Sequence, residues 1–236
     1  TLSRFEDALK QGVDGAVFTH ASNVFGYVLP VEEMSALCRQ YGVPFVVDAA
    51  QSAGSMEVNL QKWGADFVAM PGHKGLLGPQ GTGLLLCGCQ PQPLLYGGTG
   101  GQSQLKGMPE DLPERLEAGT VNVPGAAGLA AGLHLLKKLG VEQIGQRERQ
   151  AASVSAAGLR KLGFRVFSGP HQSGTVSFLA RGDCEELAQK LGDKGVAVRA
   201  GLHCAPLAHE SAGTLETGTV RVSFGHRAGV DQAQRF

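Results

Sequence analysis

The sequence predicts an α/β fold: a mostly parallel sheet with helices on both faces, followed by a smaller α+β unit. Three observations carry that expectation. Apolar runs of strand length alternate with amphipathic segments of helical period through residues 1–140. The runs are continuously apolar, as in parallel strands buried on both sides. From residue 141 onward strands and helices no longer follow one another in βαβ order.

Taken in order, Ser3 and Glu6 form a capping-box pattern opening a helix that carries Leu9 and stops at Gly12. "GAVFTH" (15–20) is a buried strand. "PVEEMSALCRQYG" is a helix, with Pro30 in its first turn, Met34, Leu37 and Tyr41 on one face, and Gly42 as its stop. "PFVVD" (44–48), "DFVAM" (66–70) and "GTGLLLCG" (81–88) are further strands. Gly, Gln and Pro dominate residues 89–118, as in a long ordered loop or a subunit contact. "NVPGAAGLAAGLHLLKKLG" restores helical spacing through Leu129, Leu133 and Leu136, and a longer polar helix spans 141–162. After Gly163, "FRVFSG" and "SGTVSFLA" are strands, Asp183 and Glu186 cap another helix, and strands "VAVRAG" and "TVRVSFG" follow. The expected units are therefore 1–140, part of a large domain, and 141–236, a smaller α+β domain. The chain opens on Thr and closes on "DQAQRF", the start of a helix, so it reads as a fragment cut at both ends.

Composition removes several function classes. With 21 basic and 21 acidic residues, the chain lacks the basic surplus of a nucleic-acid binder. No apolar run reaches membrane-span length, and no signal peptide opens the chain. Cys38, Cys87, Cys89, Cys184 and Cys204 are odd in number and lack CxxC spacing, which suits reduced thiols in a cytoplasmic enzyme. No glycine-rich stretch has the P-loop or dinucleotide pattern.

The chemistry concentrates where strands end, because ligands of such sheets sit at the carboxyl ends. Asp48 closes one strand, Gln51 follows three residues on, and Lys74 leaves the next strand in the loop "AMPGHKGLLG". Alone, Asp48 reads as a turn cap, Lys74 as a solvated surface lysine, and Gln51 as nothing in particular. Together they match the needs of pyridoxal phosphate. That cofactor takes a lysine for a Schiff base, an anion for its ring nitrogen and a polar partner for its phenolic oxygen. The anion must be desolvated and fixed, and a strand terminus is expected to do both.

"HASNVFGYVLPVEEM", "VVDAAQSAGSMEVNLQKWGADFVAMPGHKGLLGPQGTGLL", "RLEAGTVNVPGAAGL" and "RAGLHCAPLAHE" with "GTVRVSFG" resemble the class V, fold-type I pyridoxal-phosphate enzymes, in their cysteine desulfurase and selenocysteine lyase branch. The resemblance implies Lys74 as Schiff-base lysine and acid–base, Asp48 on the pyridinium nitrogen, Gln51 on the phenolic oxygen and His73 on the phosphate. It further implies Asn23 on cofactor or substrate carboxylate, Cys204 as the nucleophile that takes sulfur, and Arg221 with Arg199 as carboxylate clamps. Thr99 is implied to reach the phosphate of a neighbouring subunit in a homodimer, with a sulfur-acceptor protein as a further partner. The planar fork of arginine suits a carboxylate. A cysteine nucleophile works as thiolate, which His203 or Arg199 nearby would favour. Its plain alternative is a buried inert thiol. A zinc site from His203, Cys204 and His209 follows no standard ligand spacing.

Departures from the family pattern are Pro71, where relatives carry a small hydroxyl residue, Leu202, where many carry histidine, and "GHRAG". The resemblance implies that the family's phosphate-cradling loop and ring-stacking residue are to be expected in a segment before Thr1. The implied reaction converts L-cysteine to L-alanine. Alternatives are a selenocysteine lyase, another class V aminotransferase, or a catalytically silent scaffold of the same fold.

Overall fold

A computed structural model describes residues 2–101 and 104–236. The first sheet runs β1 (Ala16–Thr19), β2 (Phe45–Asp48), β3 (Phe67–Pro71) and β4 (Gly83–Cys87), in that spatial order. Strands β1 to β3 are parallel and β4 returns antiparallel to β3. Helix α1 (Leu2–Lys10) precedes β1, α2 (Val31–Tyr41) and α3 (Leu60–Trp63) lie between successive strands, and α4 (Val123–Leu139) follows them. Between β4 and α4 the only regular piece among the described residues is a 3₁₀ turn at Glu114–Leu116, in keeping with an ordered loop.

The second sheet, in order β5-β6-β8-β7, is antiparallel throughout: β5 (Val166–Phe167), β6 (Thr175–Phe178), β7 (Arg199–Gly201) and β8 (Thr219–Ser223). Helices α5 (Val141–Lys161), α6 (Cys184–Asp193), α7 (Pro206–Ala212) and α8 (Val230–Arg235) accompany it.

Local chemistry explains most boundaries. Helix α2 has Glu32 and Glu33 in its first turn and Arg39 in its last, each favourable to the helix dipole. It stops at Gly42, whose φ of 67° suits a left-handed cap. Asp183 caps α6 by accepting from the amides of Glu185 and Glu186. At α1 the outcome differs from the capping-box expectation: the helix already includes Leu2, so Ser3 lies inside it. Helix α7, unforeseen in "CAPLAHE", starts at Pro206, whose fixed φ suits a first turn.

Packing differs from expectation in one respect. The first core buries Phe45, Val47, Val68 and Met70 against Met34 and Cys38 of α2 and Leu129 and Leu136 of α4. Every strand residue of that cluster comes from one face of the sheet. On the other face the turn at 112–117 approaches Asp48 and Leu85, while Val17 and Leu85 stay 69% and 48% exposed. Helical cover expected on both faces is thus found on one. The strands are apolar on both sides, but the described helices supply a partner for only one of them.

Helix α5 joins the two cores. Its Ile144 packs in the first, and Ala152, Ala156 and Leu159 pack against Val176, Phe178, Val220 and Val222 of the second sheet. A smaller cluster of Val24, Phe25 and Phe167 fastens the loop after β1 to the same unit. The Gln172 side chain reinforces it by donating to the Phe25 carbonyl at 2.7 Å.

Candidate functional site

Lys74 is presented by a tight turn at the end of β3. Gly72 N–H donates to the Thr82 carbonyl and Gly78 N–H to the Gly72 carbonyl, each at 2.7 Å. Leu77 N–H closes on the Lys74 carbonyl at 3.0 Å, with Leu77 itself at a positive φ of 58°. The glycine after the lysine is required by contact rather than by dihedral angle. A Cβ on Gly75 would collide with the Ala53 carbonyl, and one on Gly54 with Gly75. Backbone therefore packs on backbone, pinning the lysine turn to the loop that follows β2 and carries Gln51.

The second sheet supplies the opposite wall. Arg199 on β7 pairs in register with Arg221 on β8. Between β7 and α7 the chain passes through His203 and Cys204 at φ of 51° and 61°, a left-handed conformation costly for residues with a Cβ. Two contacts hold it there. The buried His203 ring places Nε2 at 3.1 Å from both the carbonyl and the hydroxyl of Thr219, and the Asn23 amide donates to the His203 carbonyl at 2.7 Å. Below it, His209 Nδ1 meets the Thr214 hydroxyl at 2.8 Å.

Asn23 also ties this wall to the first sheet, since its carbonyl accepts from Arg221 Nη1 at 2.8 Å. Arg221 Nε is buried with no hydrogen-bond partner among the described residues. Burial lowers the pKa of that guanidinium, and neighbouring Arg199 lowers it further. Arg199 donates to Cys204 Sγ at 3.6 Å.

These walls enclose one cavity of about 540 Å³, lined among others by Asn23, Gln51, Lys74, Arg199, Cys204 and Arg221. An amine, a thiol, two guanidinium groups and two amides face the same space. Asp48, His73 and Thr99 do not line it. Asp48 borders the neighbouring cavity beside Pro71 and Leu85, its Oδ1 accepting from Ala50 N–H at 2.8 Å. The expectation of a fixed, desolvated acid holds in its first half. The carboxyl is fixed but exposed, because it lies on the sheet face outside the core. His73 is exposed, and Thr99 is half-buried in the loop between β4 and α4. Nor does His203 lend charge to Cys204: burial pushes its pKa down to about 4, leaving the ring neutral near pH 7. Arg199 is the cation beside the sulfur.

Among the lining residues that the sequence did not single out, one is a buried carboxylate. Glu148 of α5 is buried in the cavity wall. The available signal was an acid on the apolar stripe, four residues after Ile144 and seven before Ser155.

The donor set suits pyridoxal phosphate at its aldehyde and phenolic end, where Lys74 and Gln51 face one space. It suits an amino-acid carboxylate at the two arginines, where the unpartnered buried Nε of Arg221 is the group a carboxylate oxygen would satisfy.

The family model for aminotransferase class V matches residues 1–236. The chain is 37% identical over 232 residues to a probable cysteine desulfurase of Methanothermobacter thermautotrophicus, covering 94% of this chain and 58% of the relative. A probable cysteine desulfurase of Pyrococcus abyssi is also 37% identical, with 92% and 56% covered. Among solved structures, the apo cysteine desulfurase of Thermococcus onnurineus NA1 superposes with a TM-score of 0.87 at 36% identity, over 100% of this chain and 60% of that one. The cysteine desulfurase CsdA of Escherichia coli, in its S-sulfonic acid form, gives 0.85 at 29% identity, over 97% and 59%. The chain therefore spans less than two thirds of the length of these relatives.

Proposed function

The chain belongs to the aminotransferase class-V family, and on that premise we propose that the whole protein is a pyridoxal-phosphate-dependent cysteine desulfurase, which converts L-cysteine to L-alanine and passes the sulfur to Cys204. The observation that carries this reading is the shared cavity of Lys74, Cys204, Arg199 and Arg221. An aminotransferase needs the lysine and a carboxylate site; a thiol held opposite the lysine beside a cation serves sulfur transfer.

Pyridoxal phosphate, when bound, supplies an electron sink for the substrate α-carbon. Lys74 would hold it and carry the α-proton, Asp48 would pair with its ring nitrogen, and Gln51 would pair with its phenolic oxygen. His73, Asn23 and a partner subunit's copy of the Thr99 segment are the remaining candidates around it. Arg221 and Arg199 bind the substrate carboxylate and orient its sulfur toward Cys204. The Cys204 thiolate, steadied by Arg199, attacks that sulfur. An S–S bond forms, the substrate C–S bond breaks with its electron pair on carbon, and a proton on that carbon completes the methyl group of alanine. Cys204 is left as a persulfide for an acceptor protein. Its strained left-handed backbone keeps the sulfur on the cavity side rather than letting the loop relax into α7.

This reading assigns residues 1–140 to a large cofactor-binding domain and 141–236 to a smaller domain, in a homodimer. It places the enzyme in the cytoplasm, where its free cysteines stay reduced. No helix among the described residues is long and apolar enough to cross a membrane.

The test uses the full-length protein. Cys204→Ala is expected to keep the visible absorbance of bound cofactor and to lose sulfide release from cysteine. Undiminished turnover by that variant would remove Cys204 from the reaction. Alanine formed from selenocysteine but not from cysteine would make the protein a selenocysteine lyase. Pyruvate formed only with an added keto acid would make it an aminotransferase.

A further inference from the structure

Glu148 is a buried carboxyl in the cavity wall to which the reaction above gives no task. Its surroundings are specific. One turn earlier on α5, Gly145 lies so close to the Ser55 carbonyl that a Cβ there would collide with it. Helix α5 is therefore pressed against the loop that carries Gln51. The Ser55 side chain of that loop lies beside the Glu148 carboxyl, close enough to oppose the rise of its pKa. On its other side, Glu148 packs on Gly174: a Cβ at Gly174 would stand 2.8 Å from Glu148 Cβ and 3.1 Å from its Oε2. Gly174 leads into β6 and accepts from the amide of Phe224, just past Arg221 on β8.

We propose that Glu148 is a positioning residue, whose carboxyl joins the cavity wall of Gln51 and Lys74 to the wall of Arg221 and Cys204 by touching Ser55 on one side and Gly174 on the other. The bare Gly174 is what admits it, since any side chain there would take the carboxyl's place.

The join depends on the proton that Glu148 carries. Desolvation raises its pKa to about 7, against a smaller opposing effect of the Ser55 side chain. Arg149 also opposes the rise. On the other cavity walls stand Lys74, Arg199, Arg221 and His226. Helix α4 adds Lys137 and Lys138, α8 adds Asp231 and Arg235, and the segment 173–175 adds no charge. Neutral Glu148 is buried in this seam at far less cost than the ionised form, which demands water and loosens it.

The activity arm of the test rests on the desulfurase reading; the stability arm does not. Full-length parent, Glu148→Gln and Glu148→Ala are compared from pH 5.5 to 8.5. As pH rises from 5.5 toward 7 the parent is expected to lose Tm and then to level off, because the unfolded carboxyl gives up its proton near 4.5 and the folded one only near 7, while Glu148→Gln, which resembles the neutral form, holds its Tm. Sulfide release by the parent should fall with the protonated fraction, to about a tenth one pH unit above the pKa. Glu148→Gln should keep its rate there, and Glu148→Ala should be slow at every pH with cofactor absorbance retained. Superimposable melting profiles of parent and Glu148→Gln overturn the proposal. So does a Glu148→Ala variant with the parent's rate and pH profile. A parent that melts as expected but ignores cysteine would leave the seam intact and refute the desulfurase reading instead.

Discussion

Arg199 and Arg221 face each other in register across β7 and β8, two like charges at the position where cross-strand neighbours lie closest. Such a pair is unfavourable unless an anion sits between the guanidinium groups. Arg221 has one edge committed to the Asn23 carbonyl and its Nε buried without a partner among the described residues. On the proposed function, the pair is a carboxylate site held ready at a cost in stability.

Replacing either arginine by methionine in the full-length protein should therefore lower kcat/KM for the amino acid by about 10- to 100-fold, the range of a lost charge-assisted hydrogen bond of about 1.5–3 kcal/mol. Without substrate, Arg199→Met should melt no lower than the parent, because it relieves repulsion. Steady-state kinetics and a melting scan check both. A loss of activity matched by a loss of Tm would assign the pair to folding rather than to binding.

The lysine turn makes a second prediction. Gly75→Ala must push the Ala53 carbonyl aside, at a cost of about 1–3 kcal/mol for an overpacked contact. The variant should melt lower and lose stoichiometric cofactor absorbance as Lys74 shifts. Gly158→Ala is the control, since a Cβ in that part of α5 meets nothing within 4 Å. It should raise stability by about 0.5–1 kcal/mol. Equal melting of the two variants would mean that the turn has slack.

Buried histidines give a pH dependence on the acid side. Burial depresses both His20 and His203 to about 4, below the ordinary 6.5. When unfolded, both rings take up protons as pH falls below 6.5; when folded, they do not until about 4. Their stabilising contribution is therefore full above pH 6.5 and disappears as pH falls toward 4, on the order of 2 kcal/mol each. His20→Gln should flatten the fall of Tm between pH 6.5 and 4.5. An unchanged slope would mean that His20 titrates as an exposed ring.

These relationships differ in how far they were legible in the sequence. The cap of α6 and the stop of α2 depend on adjacent residues, so Asp183 and Gly42 announced them. Asp48, Gln51 and Lys74 were legible because each ends or closely follows a strand that its own segment announces. The registry of Arg199 with Arg221 joins residues 22 apart, and no spacing rule specifies it. His203 looked like a charged neighbour for Cys204 because sequence adjacency does not tell where a ring points. In the structure the ring turns inward to Thr219, and the charge comes from Arg199. Glu148 was hidden for the opposite reason: in a polar helix, an acid on the apolar stripe gives only a faint signal until its burial is known.

The uncovered sheet face gives the last prediction. Strand β1 is the edge of the first sheet, and its Val17 is 69% exposed, on the same face as Leu85 at 48%. An edge strand offers unpaired amides and carbonyls, and the apolar face beside it offers area, so both promote association. Burying one such side chain is worth about 1.5–3 kcal/mol, enough for two positions to change an association equilibrium markedly. The 236-residue chain expressed by itself should therefore associate, and Val17→Lys with Leu85→Lys should shift it toward monomer in sedimentation velocity. Lysine at exposed Leu207, outside both sheets, should leave association unchanged. If all three chains sediment alike, the open face takes no part in association.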